Sequence, residues 1–230
     1  MGETVKFASN GDEVGGYLAR PASGGGPGLL VVQEWWGLVP QLKRVCDRLA
    51  NDGFVALAPD LFRGDYAEHT EMDKANELMT TLPPDRAARD MTGAIDYLLA
   101  DDSVTGDGVG VVGFCMGGLL AMVIAAQQGD KVAAVAPFYG APIGDNPPDW
   151  SGLTAPVLGH FAMDDAFFGV DAVRNLELQL KDLGKDVTFE YIPDTGHAFA
   201  NEDNALGTHD PDAAAKTWAH TVEWLHQKLD

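Results

Sequence analysis

The chain has 230 residues, 46% of them hydrophobic, and a formal net charge of -20. That length suits one large α/β core better than two, and no apolar run approaches the length of a membrane span. So acidic a surface, with no basic cluster to offset it, argues against nucleic acid or an anionic membrane as partner and leaves a small molecule as the expected one.

Thr4 to Ala8 and Val14 to Ala19 read as two short strands, with Ser9-Asn10-Gly11-Asp12 as the hairpin turn between them. Gly28 to Gln33 is an apolar run of buried-strand type. Pro40 to Asp52 is a helix stopped by Gly53, and Phe54 to Ala58 is the next strand. Leu61 to Pro84 is irregular, with a polar helix near Thr70 to Thr80, and is expected to form a minimal cap. Asp85 to Ala100 reads as a helix, Val109 to Gly113 as a strand and Leu119 to Ala126 as a helix. Then come strands Val132 to Phe138, Ala155 to Phe161 and Val187 to Ile192, with helices Val170 to Leu183 and Pro211 to Leu229. Such alternation after an antiparallel opening predicts an α/β domain over residues 1–230. Its sheet should be mostly parallel and twisted, with helices on both faces.

The chemistry is concentrated at Gly113-Phe114-Cys115-Met116-Gly117. This is a G-x-C-x-G nucleophile elbow between a predicted strand and a predicted helix. Glycines two residues either side of Cys115 relieve crowding where strand and helix converge. His197, in the loop after the last strand, is the candidate base. The acid should lie between nucleophile and base in this fold, in the Asp164-Asp165 pair after the Ala155 to Phe161 strand. Either carboxylate can orient the imidazole; Asp165 is preferred, with Asp164 as an exposed acid or helix cap. Two amides are expected to hold an oxyanion: Met116 N–H at the helix start and Trp35 N–H in the loop after the Gly28 to Gln33 strand. Glu34, at the end of that strand, is close enough in the fold to interact with Cys115, and Trp35 and Trp36 are candidates to line the pocket.

The other cysteine, Cys46, lies in an amphipathic helical pattern and reads as a small core residue. No C-x-x-C or H-x-x-x-H spacing suggests a metal, and no cofactor is implied. The N-terminal residues lack the basic and apolar regions of a secretory signal, so the chain is expected to be soluble and cytoplasmic. A monomer is expected.

Together these residues resemble the dienelactone hydrolase (carboxymethylenebutenolidase) family of the α/β-hydrolase fold. The likeness runs from Gln33-Glu34 through Ala58-Pro59-Asp60-Leu61 and the cysteine elbow to Asp165 and Gly196-His197-Ala198-Phe199. It implies a hydrolase opening a small lactone or ester, with Cys115 as nucleophile, Asp165 as acid and His197 as base. Ungapped alignment of the Gly159-His160 segment with the family also selects Asp165 over Asp164. Glu34 matches the family's glutamate that pairs with the cysteine at rest and is displaced by substrate. The family's carboxylate-binding arginine four residues after the histidine is replaced here by Asn201. The nearest match to its second arginine is Lys74, with Arg86 and Arg89 as alternatives. Trp36, Lys74, Phe199 and Asn201 are therefore the expected substrate contacts.

Overall fold

The computed structural model of the chain describes residues 2–144 and 146–230. Its opening hairpin pairs β1 (Glu3–Ser9) with β2 (Asp12–Ala19). The connecting Asn10 and Gly11 both take positive φ, 44° and 94°, which asparagine and glycine tolerate best and which matches the twist of the strands. The remaining strands are β3 (Gly26–Val32), β4 (Val55–Pro59), β5 (Val104–Phe114), β6 (Val132–Phe138), β7 (Val157–Ala162) and β8 (Val187–Ile192). They form one eight-stranded sheet in the order β1-β2-β4-β3-β5-β6-β7-β8. Only the β1–β2 and β2–β4 pairings are antiparallel.

Every residue of β3 and β4 is buried, as expected for central strands covered on both faces. On one face lie α1 (Pro40–Asn51) and α6 (Pro211–Leu229), whose Leu42, Cys46, Leu49, Trp218 and Leu225 pack against the sheet. On the other lie α3 (Pro84–Leu99), α4 (Met116–Gln128) and α5 (Val170–Asp182). The remaining helix, α2 (Met72–Thr81), buries only Ala75 and belongs to the excursion after β4. Among the described residues no helix is long and apolar enough to cross a membrane.

The strand after Ala100 starts earlier than its apolar run predicts, at Val104 rather than Val109. The added stretch, Val104 to Gly108, is polar and glycine-rich, and its register against β3 shifts between Pro27 and Leu29. A bulged strand end of this kind carries no alternation for a pattern to detect.

The chain goes from β3 outward to β4 and then returns past β3 to β5. The loops after β3 and β5 therefore leave toward opposite faces and open a crevice at their carboxyl ends. Glu34 and Trp35 follow β3, and Cys115 follows β5.

Candidate active site

Cys115 sits between β5 and α4 with φ 54° and ψ -120°, a region that costs a non-glycine residue energy. The neighbouring backbone explains the glycines two residues either side of it. A Cβ on Gly113 would collide with the carbonyl of Gly117, and one on Gly117 with the carbonyl of Val32.

Burial pushes the Cys115 thiol well above its ordinary range, and the nearby Glu34 charge pushes it the same way. The backbone amides of Met116 and Trp35 act on the same sulfur in the opposite sense, each favouring thiolate.

His197 is buried in the loop after β8. Its Nδ1 lies 2.8 Å from Asp165 Oδ2. The other carboxylate oxygen of Asp165 accepts from the Phe167 and Phe168 amides at 2.8 and 2.9 Å, which fixes the carboxylate's orientation. Asp164 is exposed, and its amide donates to the Thr195 carbonyl at 3.0 Å, tying the β7 and β8 loops together. The imidazole is stacked by Phe168, with ring centroids 5.6 Å apart, and met edge-on by Tyr139 at 5.3 Å. Cys115 and His197 both line one cavity of about 700 Å³.

Glu34 is buried beside them, but its oxygens take partners other than the thiol. Tyr139 Oη donates to Oε1 at 3.1 Å and Asn201 Nδ2 to Oε2 at 2.7 Å. Burial raises the Glu34 pKa above its usual 4.5, against the pull of His197, Asn201 and Tyr139. Tyr139 was not evident from sequence. It directly follows β6, and what aims its hydroxyl at Glu34 is a backbone φ of 38°, which no residue pattern encodes.

Raised pKa means that the folded state holds this proton more tightly than the unfolded chain does. Stability is then greatest below the ordinary carboxylate range and falls as pH rises through the raised value. Glu34→Gln removes that dependence, and its amide can still pair with Asn201 and Tyr139. The variant's Tm should gain on wild type as pH rises from the ordinary carboxylate range, read by thermal unfolding over a pH series. A Tm difference that stays constant across that series would show that Glu34 titrates normally.

The expected substrate contacts fare differently, and none of the four lines the cavity. Trp36 turns inward and forms a small cluster with Val39, Ala67 and Ala75 that pins the excursion to the domain. Phe199 is fully buried, edge-on to Tyr139 at 5.4 Å, because it belongs to the core under the His197 loop. Asn201 is buried and committed to Glu34. Lys74 points to solvent, where Asp65 holds it at 2.8 Å. Of the alternative cations, Arg86 donates to the Leu61 carbonyl and Arg89 pairs with Asp85. The cavity is lined instead by Trp35, Phe167, Phe168 and apolar residues of α2, α3 and α4.

A cysteine elbow at a central parallel strand, followed by an Asp–His pair on two later strand ends, defines an α/β-hydrolase. The family model described as "Dienelactone hydrolase family" matches residues 14–229. The chain belongs to the dienelactone hydrolase family and is an enzyme that hydrolyses ester bonds. It is 36% identical to "Protein usf" of Aquifex pyrophilus and 35% identical to a provisionally named carboxymethylenebutenolidase of Aquifex aeolicus, with both chains covered in full in each case. A crystal structure of a provisionally named dienelactone hydrolase from Klebsiella pneumoniae superposes with a TM-score of 0.87 at 26% identity. That match covers 99% of this chain and 98% of the other.

Proposed function

We propose that this enzyme cleaves a small lactone or activated ester through an acyl-cysteine intermediate. The observation that carries the reading is Cys115 on its strained elbow, lining one cavity with a His197 whose Nδ1 is held by Asp165 at 2.8 Å. In the first half-reaction His197 Nε2 takes the thiol proton and the sulfur bonds to the carbonyl carbon. The carbonyl oxygen becomes an oxyanion held by the Met116 and Trp35 amides. When it collapses, the carbon–oxygen bond breaks and His197 returns the proton to the leaving oxygen. In the second half, His197 takes a proton from water, the resulting hydroxide attacks the thioester, and the sulfur leaves and is reprotonated. Asp165 holds the imidazole tautomer and stabilises its protonated form throughout. Glu34 and burial keep the thiol neutral until substrate arrives, which protects it from oxidation and alkylation.

A thiolate leaves a tetrahedral carbon more readily than an amide nitrogen does, so amides are poor substrates by this mechanism. A second reading, preference for open-chain esters without a carboxylate, is favoured by Lys74 and Asn201 standing outside the cavity. Both readings are tested by quenching a reaction with an aryl acetate in acid and weighing the peptides. The Cys115 peptide should carry one acetyl group. A panel pairing a dienelactone with neutral aryl esters then ranks the two substrate classes. Turnover with no adduct on Cys115, together with full activity in its absence, would remove the acyl-cysteine mechanism.

A further inference from the structure

α4 is apolar around its whole circumference, so both its faces need cover. Its inner face, with Ala121, Met122, Ile124 and Ala125, is buried in the core. The outer stripe is not closed by protein: Leu119, Leu120 and Val123 are only half-buried, and they line the cavity. Met116, Leu119, Leu120, Val123 and Gln127 recur at helical spacing, so the cavity follows one stripe of α4 outward from Cys115. From Met116 to Gln127 that stripe rises about 16 Å, enough for an extended chain of roughly ten carbons.

The facing wall comes from α3, where small side chains, Ala87 and Ala88, leave width between the helices, and Met91 lies deeper. Met79 of α2 and Leu82 also line the groove. Among the described residues its lining includes no lysine or arginine and one carboxylate, Asp85, which is engaged by Arg89. An anionic substituent would enter without a partner, on a protein of net charge -20.

Topology assigns the groove to one side of the scissile bond. α3 packs over β1, β3, β4 and β5, whereas Asp165 and His197 follow β7 and β8, on the other half of the sheet. The leaving oxygen must face His197 to receive its proton. The acyl substituent, on the far side of the carbonyl carbon, then points between α3 and α4.

We infer that this groove seats the acyl chain of a neutral, medium-chain ester, and that α4 measures its length. The inference rests on the acyl-cysteine reading, but it can fail separately. With aryl esters of one alcohol and increasing acyl length, kcat/KM should rise about two- to fourfold per methylene up to about ten carbons, then level or fall. Val123→Trp, about two-thirds of the way along, should lower the decanoate-to-acetate ratio of kcat/KM by about 4- to 60-fold, the loss of two to three methylenes' worth of gain. Gln127→Trp, at the exposed far end, should shorten the optimum by fewer carbons, and it serves where Val123→Trp fails to fold. An ester whose acyl chain ends in a carboxylate should react at least about tenfold more slowly than the neutral ester of equal length.

A flat length profile, an unchanged ratio in both variants, or preference for the carboxylate-ended chain would overturn the inference. If Cys115 is still acylated in those experiments, the acyl-cysteine mechanism stands while the groove assignment falls. If it is not acylated, the mechanism falls first.

Discussion

Cys115→Ala should lower kcat/KM on an aryl ester by about 10,000-fold or more, equivalent to roughly 5.5 kcal/mol of transition-state stabilisation. The size of the loss follows from what the thiol does. Among the described residues that line the cavity, Cys115 is the one thiol, and there is no serine, threonine or lysine to replace it. Without it, His197 can only activate water directly, with no covalent step to divide the barrier. Stability should change little, because the backbone strain at φ 54° belongs to the elbow and alanine bears it equally. A Tm within about 2 °C of wild type, read beside the activity, would separate lost chemistry from lost fold. Cys115→Ser should fall between the two, since the same base and the same amides can serve a hydroxyl, but without a thiol's acidity. Retention of activity within tenfold by the alanine variant would mean that the ester bond is broken by another group.

Much of the frame was legible because it depends on local patterns. Asn10-Gly11 specifies a tight hairpin, Pro40 and Gly53 bracket α1, and β3 and β4 show the unbroken apolar runs of strands covered on both faces. Cys115, Asp165 and His197 each end a strand or open a loop directly after one, so chain order alone put them at one edge of the sheet. The substrate contacts were not legible, because they depend on where side chains turn. Trp36 and Trp35 are adjacent in sequence, yet one enters a satellite cluster and the other lines the cavity. Lys74 has the charge for a carboxylate, but its neighbour Asp65 takes it. Asn201 stands where the family's arginine would be and holds Glu34 instead. One signal in the sequence does point to the cavity. A helix as uniformly apolar as α4 must be covered on its outer side, and the short excursion after β4 is too polar to do it alone.

That replacement at position 201 alters the electrostatics of the whole site. An arginine beside Glu34 would pair with it and draw its pKa down. Asparagine gives one neutral hydrogen bond, so burial dominates and the Glu34 pKa is raised. The proton on Glu34 and the proton on Cys115 are therefore coupled, since each group resists ionising while the other is charged.

Asp165→Asn should cost about 1,000- to 10,000-fold in kcat, while Asp164→Asn should stay within about twofold of wild type. The contrast is argued from the hydrogen bonds at the two positions. Asp165 Oδ1 accepts two backbone amides, from Phe167 and Phe168, so an asparagine there must place its oxygen at that position. Its NH2 then faces His197 Nδ1, where Asp165 Oδ2 now sits at 2.8 Å. A donor at that point forces Nδ1 to accept, which leaves the imidazole proton on Nε2. Nε2 must be free to take the thiol proton, so the variant holds the imidazole in the unproductive tautomer. Cysteine enzymes that use asparagine as the third member turn its oxygen toward the histidine, an orientation that the Phe167 and Phe168 amides block here. Asp164 is exposed, and its backbone amide, which any residue keeps, ties the loops together. Equal losses in the two variants would place the orienting carboxylate elsewhere. Near-wild-type activity in Asp165→Asn would mean that the amide flips and the two backbone bonds are worth less than the bond to the imidazole.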